Sequence, residues 1–178
     1  MKAQPKTIEI PEGTKAEVQK EKVKITGKLG EIERDFTHTK VKIELKDNKI
    51  TISSHILSKR AKVTINTVEA HIKNMIEGTN KGYTYKMHVV FSHFPINTVV
   101  KGNVVEINNF VGEKNPRKAK IDGKTKVEIK GKEITLTGIN KEEIGQTAAN
   151  LEKATKIRNR DPRVFQDGIY LTEKKVNE

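Results

Sequence analysis

The chain repeats itself, and that constrains its fold more than any other feature. Ile25-Thr26-Gly27-Lys28-Leu29-Gly30-Glu31 returns 82 positions later as Ile107-Asn108-Asn109-Phe110-Val111-Gly112-Glu113. Lys46-Asp47-Asn48-Lys49-Ile50-Thr51-Ile52-Ser53 returns 84 positions later as Lys130-Gly131-Lys132-Glu133-Ile134-Thr135-Leu136-Thr137. A stretch of helical period follows each time, with Ile65, Glu69 and Ile72 matching Ile144, Ala148 and Leu151 at an offset of 79. One Gly-bearing hairpin can recur by chance, but three segments in the same order point to duplication.

Each copy reads strand, loop, strand, tight turn, strand, helix. Val23 and Ile25 alternate with Lys22 and Lys24, and Val41, Ile43 and Leu45 with Lys40, Lys42 and Glu44. Ile50 and Ile52 follow the Asp47-Asn48 turn. This period of two gives one wet and one dry face, as in an antiparallel sheet. Ile65, Val68, Ile72 and Ile76 then form a helical stripe with Gly78 as its C-terminal stop, and Asn140 can cap the second helix, whose stripe is Ile144, Ala148, Leu151 and Thr155. Tyr83, Tyr85, Met87, Val89 and Phe91 lie on one side of a long strand between the copies. The expected fold is α+β: two tandem similar domains, each a small antiparallel sheet packed against a helix, over residues 1–82 and 83–178.

Composition limits function. Cysteine is absent, which excludes disulfides, zinc ribbons, Fe–S clusters and thiol nucleophiles. No run approaches the ~20 apolar residues of a membrane span, and Met1 to Glu12 lacks the apolar core of a signal peptide. A cytoplasmic protein with no membrane partner is expected. Of the five histidines, His38, His55, His71, His88 and His93, the closest pair is His88 and His93, and an odd spacing on a strand sends them to opposite faces. No carboxylate pair, nucleophile elbow, phosphate loop or His-Glu-x-x-His pattern is present, so no catalysis, metal or other cofactor is expected.

The net charge is +12, and a surface so charged attracts polyanions and releases their counterions. Its placement is uneven. Lys114 to Lys132 holds eight basic residues against Asp122 and Glu128, and Lys153 to Arg163 holds five against Asp161, while the rest of the second domain is net negative. Four of the six arginines lie in these two strips. Guanidinium forks grip phosphate bidentately where an ammonium is a point charge. Asn159 and Asp161-Pro162 describe a basic loop leaving the second helix, its shape held by a proline.

Two short patterns suggest nucleic-acid modules. Lys81-Gly82-Tyr83-Thr84-Tyr85-Lys86-Met87-His88 resembles the base-stacking strand of RNA-recognition domains, which leaves a free RNA-binding module using Tyr83 and Tyr85 as the alternative function. Gly27-Lys28-Leu29-Gly30 resembles a KH clamp loop, although it sits beside a strand. With only three Tyr, five Phe and no Trp, recognition of folded RNA by shape and backbone fits better than reading of single strands. A third reading is an interaction domain for an acidic protein.

Longer stretches carry a more specific likeness. Met87 to Asn97, Asn109-Phe110-Val111-Gly112-Glu113-Lys114, Gly145-Gln146-Thr147-Ala148-Ala149-Asn150-Leu151 and Asp167-Gly168-Ile169-Tyr170-Leu171-Thr172-Glu173-Lys174 together resemble the large-subunit ribosomal protein L-six family in its archaeal and eukaryotic branch. The likeness spans nearly the whole chain, although Gly78-Thr79-Asn80 stands where Gly-Val-Thr is usual. The lysine-rich Pro-Glu-Pro-Tyr tail of bacterial members is replaced here by Asp161 to Asp167. The resemblance implies a structural component of the large subunit that binds its rRNA near the base of the factor-binding stalk and the sarcin–ricin loop. It implies neighbouring ribosomal proteins at the stalk base, translation factors nearby, a place in the cytoplasmic ribosome, no homo-oligomer and a C-terminal domain as the main anchor. Strips and resemblance combine into one set of expected rRNA contacts: Lys114, Arg117, Lys118, Gln146, Lys153, Lys156, Arg158, Arg160 and Arg163.

Overall fold

The computed structural model describes residues 5–46, 48–54, 58–161 and 163–177. Asp47 of the first tight turn, His55 and Pro162 of the basic loop lie outside them. The chain divides into two compact units, Met1–Gly82 and Tyr83–Glu178.

In the first unit, β1 (Lys6–Glu9), β6 (Lys49–Ser53) and β5 (Lys42–Lys46) form one antiparallel sheet in the order β1-β6-β5. A second sheet is β2 (Lys15–Gln19), β3 (Lys22–Thr26) and β4 (Glu31–Asp35), in that order. The helix α1 (Lys59–Asn80) packs Ile65, Val68, Ile72 and Ile76 against Val23, Ile25, Ile43, Ile50 and Ile52. Ser58 caps α1, its hydroxyl accepting from the Ala61 N–H at 3.1 Å.

The second unit repeats this order strand for strand. β7 (Tyr83–Val90), β12 (Glu133–Gly138) and β11 (Lys126–Lys130) stand where β1, β6 and β5 stand, and β8 (Asn97–Lys101), β9 (Val104–Asn108) and β10 (Arg117–Lys120) mirror β2, β3 and β4. The helix α2 (Lys141–Ala154) buries Ile144, Ala148 and Leu151. Asn140 caps it by accepting from the Glu142 N–H, and Glu142 and Glu143 sit in the first turn, where the helix dipole favours anions. One part has no counterpart in the first unit. After α2 a loop of residues 155–167 leads to β13 (Gly168–Val176), which pairs with the far side of β7. That loop carries most of the second basic strip.

Three expectations change. The Tyr83 strand does not lie between the copies; it is the first strand of the second one. Among the described residues the first copy holds six strands rather than three, and the second matches them and adds β13. β1, β2, β4, β8 and β10 are unexpected because they are only four or five residues long and rich in exposed side chains. Gly78 does not stop α1, which runs to Asn80 with Gly78 and Thr79 buried. The Gly27-Lys28-Leu29-Gly30 turn packs onto that last helical turn: the Leu29 N–H donates to the Thr79 carbonyl at 2.9 Å, and a Cβ on Gly27 would stand 2.7 Å from the same oxygen. A glycine is needed there for close approach between backbones, not for clamping nucleotides. Gly27→Ala is therefore expected to cost about 1–3 kcal/mol of unfolding free energy as forced overpacking, measured by urea denaturation.

Tyr83 and Tyr85 belong to the core, 1% and 5% exposed. They face α2 and the β8-β9-β10 sheet side of the second unit together with Met87 and Val89. Rings so buried cannot stack on bases, and the free RNA-recognition reading is withdrawn on that ground.

Candidate nucleic-acid interface

The two basic strips are 21 residues apart at their nearest ends in sequence, and polar links between α2 and β10 draw them together. The Thr147 hydroxyl accepts from the Asp122 N–H at 3.0 Å, and the Asn150 side chain donates to the Lys120 carbonyl at 2.9 Å. Gln146 donates to the Asn150 side-chain oxygen at 2.9 Å and so orients that link. At the end of α2 the Arg117 Nη1 donates to the carbonyl of Ala154 at 2.9 Å, an acceptor that the helix itself leaves open, and to that of Lys156 in the loop beyond it at 3.1 Å. The result is a cationic hollow of about 340 Å³ lined by Arg117, Lys118, Lys153, Ala154, Lys156 and Arg158. Five of the nine expected contact residues meet there.

Those five are not equivalent. Lys153, Lys156 and Arg158 are exposed, with no carboxylate partner among the described residues. Lys118 pairs in register with Glu106 of β9. Arg117 is committed inward: beyond its two carbonyls it holds Glu113 through Nε at 2.8 Å and Nη2 at 2.5 Å, and its guanidinium lies 4.2 Å from the centre of the buried Phe110 ring. That grip holds the Glu113 carboxyl below its ordinary range, chiefly by the Arg117 hydrogen bonds. The intervening turn is strained, since Val111, a β-branched residue, sits at φ 52°.

The remaining four expected contacts lie outside the hollow. Lys114 is exposed in the turn before β10. Gln146 faces outward on α2 with its amide engaged as described. Arg160 lies over Phe165 at 4.6 Å, and Arg163 bonds Asp161 through its backbone N–H, Nε and Nη2 while remaining 89% exposed. An exposed pair of this kind is screened by solvent and weak, so an RNA phosphate can replace the carboxylate.

One buried group escaped the sequence reading. Asp167, almost wholly enclosed, ties the loop to the segment after β7: it accepts from the backbone N–H groups of Ser92 at 2.7 Å and His93 at 3.3 Å, and lies 2.7 Å from His93 Nδ1. Phe165 stacks on the His93 ring at 4.5 Å. Ser92 Oγ meets the same Nδ1, so both neighbours use one ring nitrogen and no serine–histidine–aspartate relay is formed. Burial pushes the Asp167 carboxyl up, but these bonds outweigh it and hold it below the usual carboxylate range. A depressed native pKa means stability present above the unfolded value near 4 and lost as pH falls through the native one. The second unit is expected to lose this contribution progressively below about pH 4, and Asp167→Asn to flatten that part of an acid unfolding curve followed by circular dichroism.

No group of three or more His, Asp or Glu that could hold a metal ion occurs among the described residues. No described helix is long and apolar enough to cross a membrane.

The model of the family described as Ribosomal protein L6 matches twice, over residues 10–82 and 94–168. The chain belongs to the ribosomal protein L6 family. Both matches fall on the repeated units, so the duplication read from three short segments is a property of the family domain. Among similar proteins, the Large ribosomal subunit protein uL6 of Methanobrevibacter smithii is 50% identical over 167 residues, covering 94% of each chain. That of Methanosphaera stadtmanae is 48% identical over 172 residues, 96% of this chain and 94% of its own. That of Ignicoccus hospitalis is 45% identical over 174 residues, 95% of this chain and 94% of its own. The family's second domain match ends at residue 168, and so includes the basic loop that the first unit lacks.

Proposed function

We propose that the chain is a non-catalytic structural constituent of the large ribosomal subunit that binds large-subunit rRNA through its second unit. The observation that carries this is the meeting of two sequence-distant basic strips in one hollow on a family member whose relatives are named as large-subunit proteins. Lys114, Lys118, Lys153, Lys156, Arg158, Arg160 and Arg163 neutralise phosphates, Gln146 and Arg117 hold the elements that present them, and the first unit is a spacer or secondary contact. The family resemblance supports a position near the base of the factor-binding stalk and the sarcin–ricin loop, beside neighbouring ribosomal proteins and within reach of translation factors, on cytoplasmic ribosomes and without self-association. Sedimentation tests the reading: the protein should remain with large subunits through a high-salt wash, and crosslinking should join Arg158 or Lys156 to stalk-base rRNA. Release of the protein in the wash together with crosslinks to protein alone would instead favour the acidic-partner reading.

A further inference from the structure

Lys153, Lys156 and Arg158 form a ridge shared by two depressions of different character. On one side is the basic hollow already described. On the other is an open cleft of about 890 Å³ whose lining runs from the same three cations, past the carboxylates of Glu152, which accepts from the Leu171 N–H, and Asp167, which is engaged with Ser92 and His93, into Ile157, Phe165 and Tyr170. One side of the ridge offers charge alone, and the other offers charge beside apolar and aromatic surface.

Tyr170 is 48% exposed yet held in place. Its hydroxyl donates to the Gln166 carbonyl at 3.1 Å, and its ring lies so close to Gly168 that a Cβ there would come within 3.2 Å of ring atoms. The glycine backbone supports the ring and the hydroxyl fixes its tip. Phe165, the other ring of the cleft, already has His93 stacked on it and the Arg160 guanidinium above it. Tyr170 is therefore the aromatic surface on which a further flat group can lie.

A nucleotide is an anion joined to a flat plate with apolar faces, and ridge and cleft together match both halves. We propose that this cleft receives one unpaired nucleobase of the bound RNA, stacked on Tyr170, while its flanking phosphates rest on Lys153, Lys156 and Arg158. One supported ring makes room for one base, so recognition remains mainly a matter of shape and backbone, with a single extruded nucleotide setting register along the RNA. The inference rests on the RNA-binding reading above, and the test separates the two.

The probes are two RNA hairpins identical except at one bulged position, which carries 2-aminopurine in one and an abasic residue in the other. Binding of the full chain is measured at low salt and across a salt series. The base-bearing hairpin should bind about tenfold tighter, the order expected for one base–aromatic stack, with its emission quenched on binding. Tyr170→Ala should erase both the preference and the quenching while leaving the salt slope unchanged, and Tyr170→Phe should retain both. Tyr170→Leu keeps apolar bulk without a stacking ring and serves as the second variant should the alanine form unfold. Equal affinity for the two hairpins, or a preference that survives Tyr170→Ala, overturns the cleft proposal and leaves the RNA reading standing. Failure to bind either hairpin overturns both. Binding of adenosine monophosphate as tight as that of the hairpin would make this a free-nucleotide site and also overturn the proposal.

Discussion

Replacing Arg158, Arg160 and Arg163 together by alanine is expected to weaken binding of the full chain to a large-subunit rRNA fragment about hundredfold at moderate salt. A charge-assisted bond to phosphate is worth roughly 1.5–3 kcal/mol before competing terms. Two of the three arginines have such terms. Arg163 must leave Asp161, a weak solvent-screened surface pair, and Arg160 must keep or surrender its place over Phe165, worth about 0.5–1 kcal/mol at an exposed site. Arg158 has neither cost. What remains over the three is on the order of 3 kcal/mol, a hundredfold change. The slope of log affinity against log salt should fall by roughly two to three, one counterion-release step for each phosphate lost. All three side chains are exposed, so thermal unfolding should hardly move. Unchanged affinity and slope would remove the second unit as the anchor. A loss of affinity at unchanged slope would mean that the arginines shape the loop without touching phosphate.

Why some of this was legible in the sequence and some was not follows from the range of the interactions. The alternation in β3, β6 and β12 and the stripes of α1 and α2 are local patterns that burial enforces, so they read directly. β10 does not read as a strand, because Arg117-Lys118-Ala119-Lys120 buries only Ala119 and the pattern is masked by cations. β2 and β4 alternate half-buried residues with exposed Lys, Glu and Asp and have no full dry face. Gly78 carries a stop signal that tertiary packing overrides, since the helical turn holding it is buried against the Gly27 turn. The cationic strips were visible as composition, but not their meeting, which depends on the side chains of Thr147 and Asn150 reaching backbone groups 25 and 30 residues away. Asp167 carries no local sequence signal of its buried role. Its partners are backbone N–H groups, which every residue carries and no pattern marks.

Arg117 shows the same gap most sharply, and Arg117→Lys tests the difference between a charge and a clamp. Four of its donor contacts are internal: two to Glu113 and two to carbonyls at the end of α2 and the start of the basic loop, with Phe110 under the guanidinium. A lysine keeps the positive charge but has one nitrogen and no planar fork, so it cannot hold a carboxylate bidentately, reach two carbonyls and lie flat on a ring at once. The substitution is expected to cost about 1–3 kcal/mol of stability, because the Ala154 and Lys156 carbonyls lose their donor and Glu113 its fork. It should also raise the hydrogen-exchange rate of the amides at 155–158. RNA affinity should fall about tenfold or more as Lys156 and Arg158 lose their fixed placement, while the salt slope stays unchanged because no phosphate contact and no charge is removed. Glu113→Gln should reproduce part of the loss of stability, and its effect should shrink when Arg117 is already lysine, the coupling expected of two groups in one bonded pair. Full RNA affinity in the lysine variant would return Arg117 to the role of an ordinary phosphate contact. A reduced salt slope would do so as well.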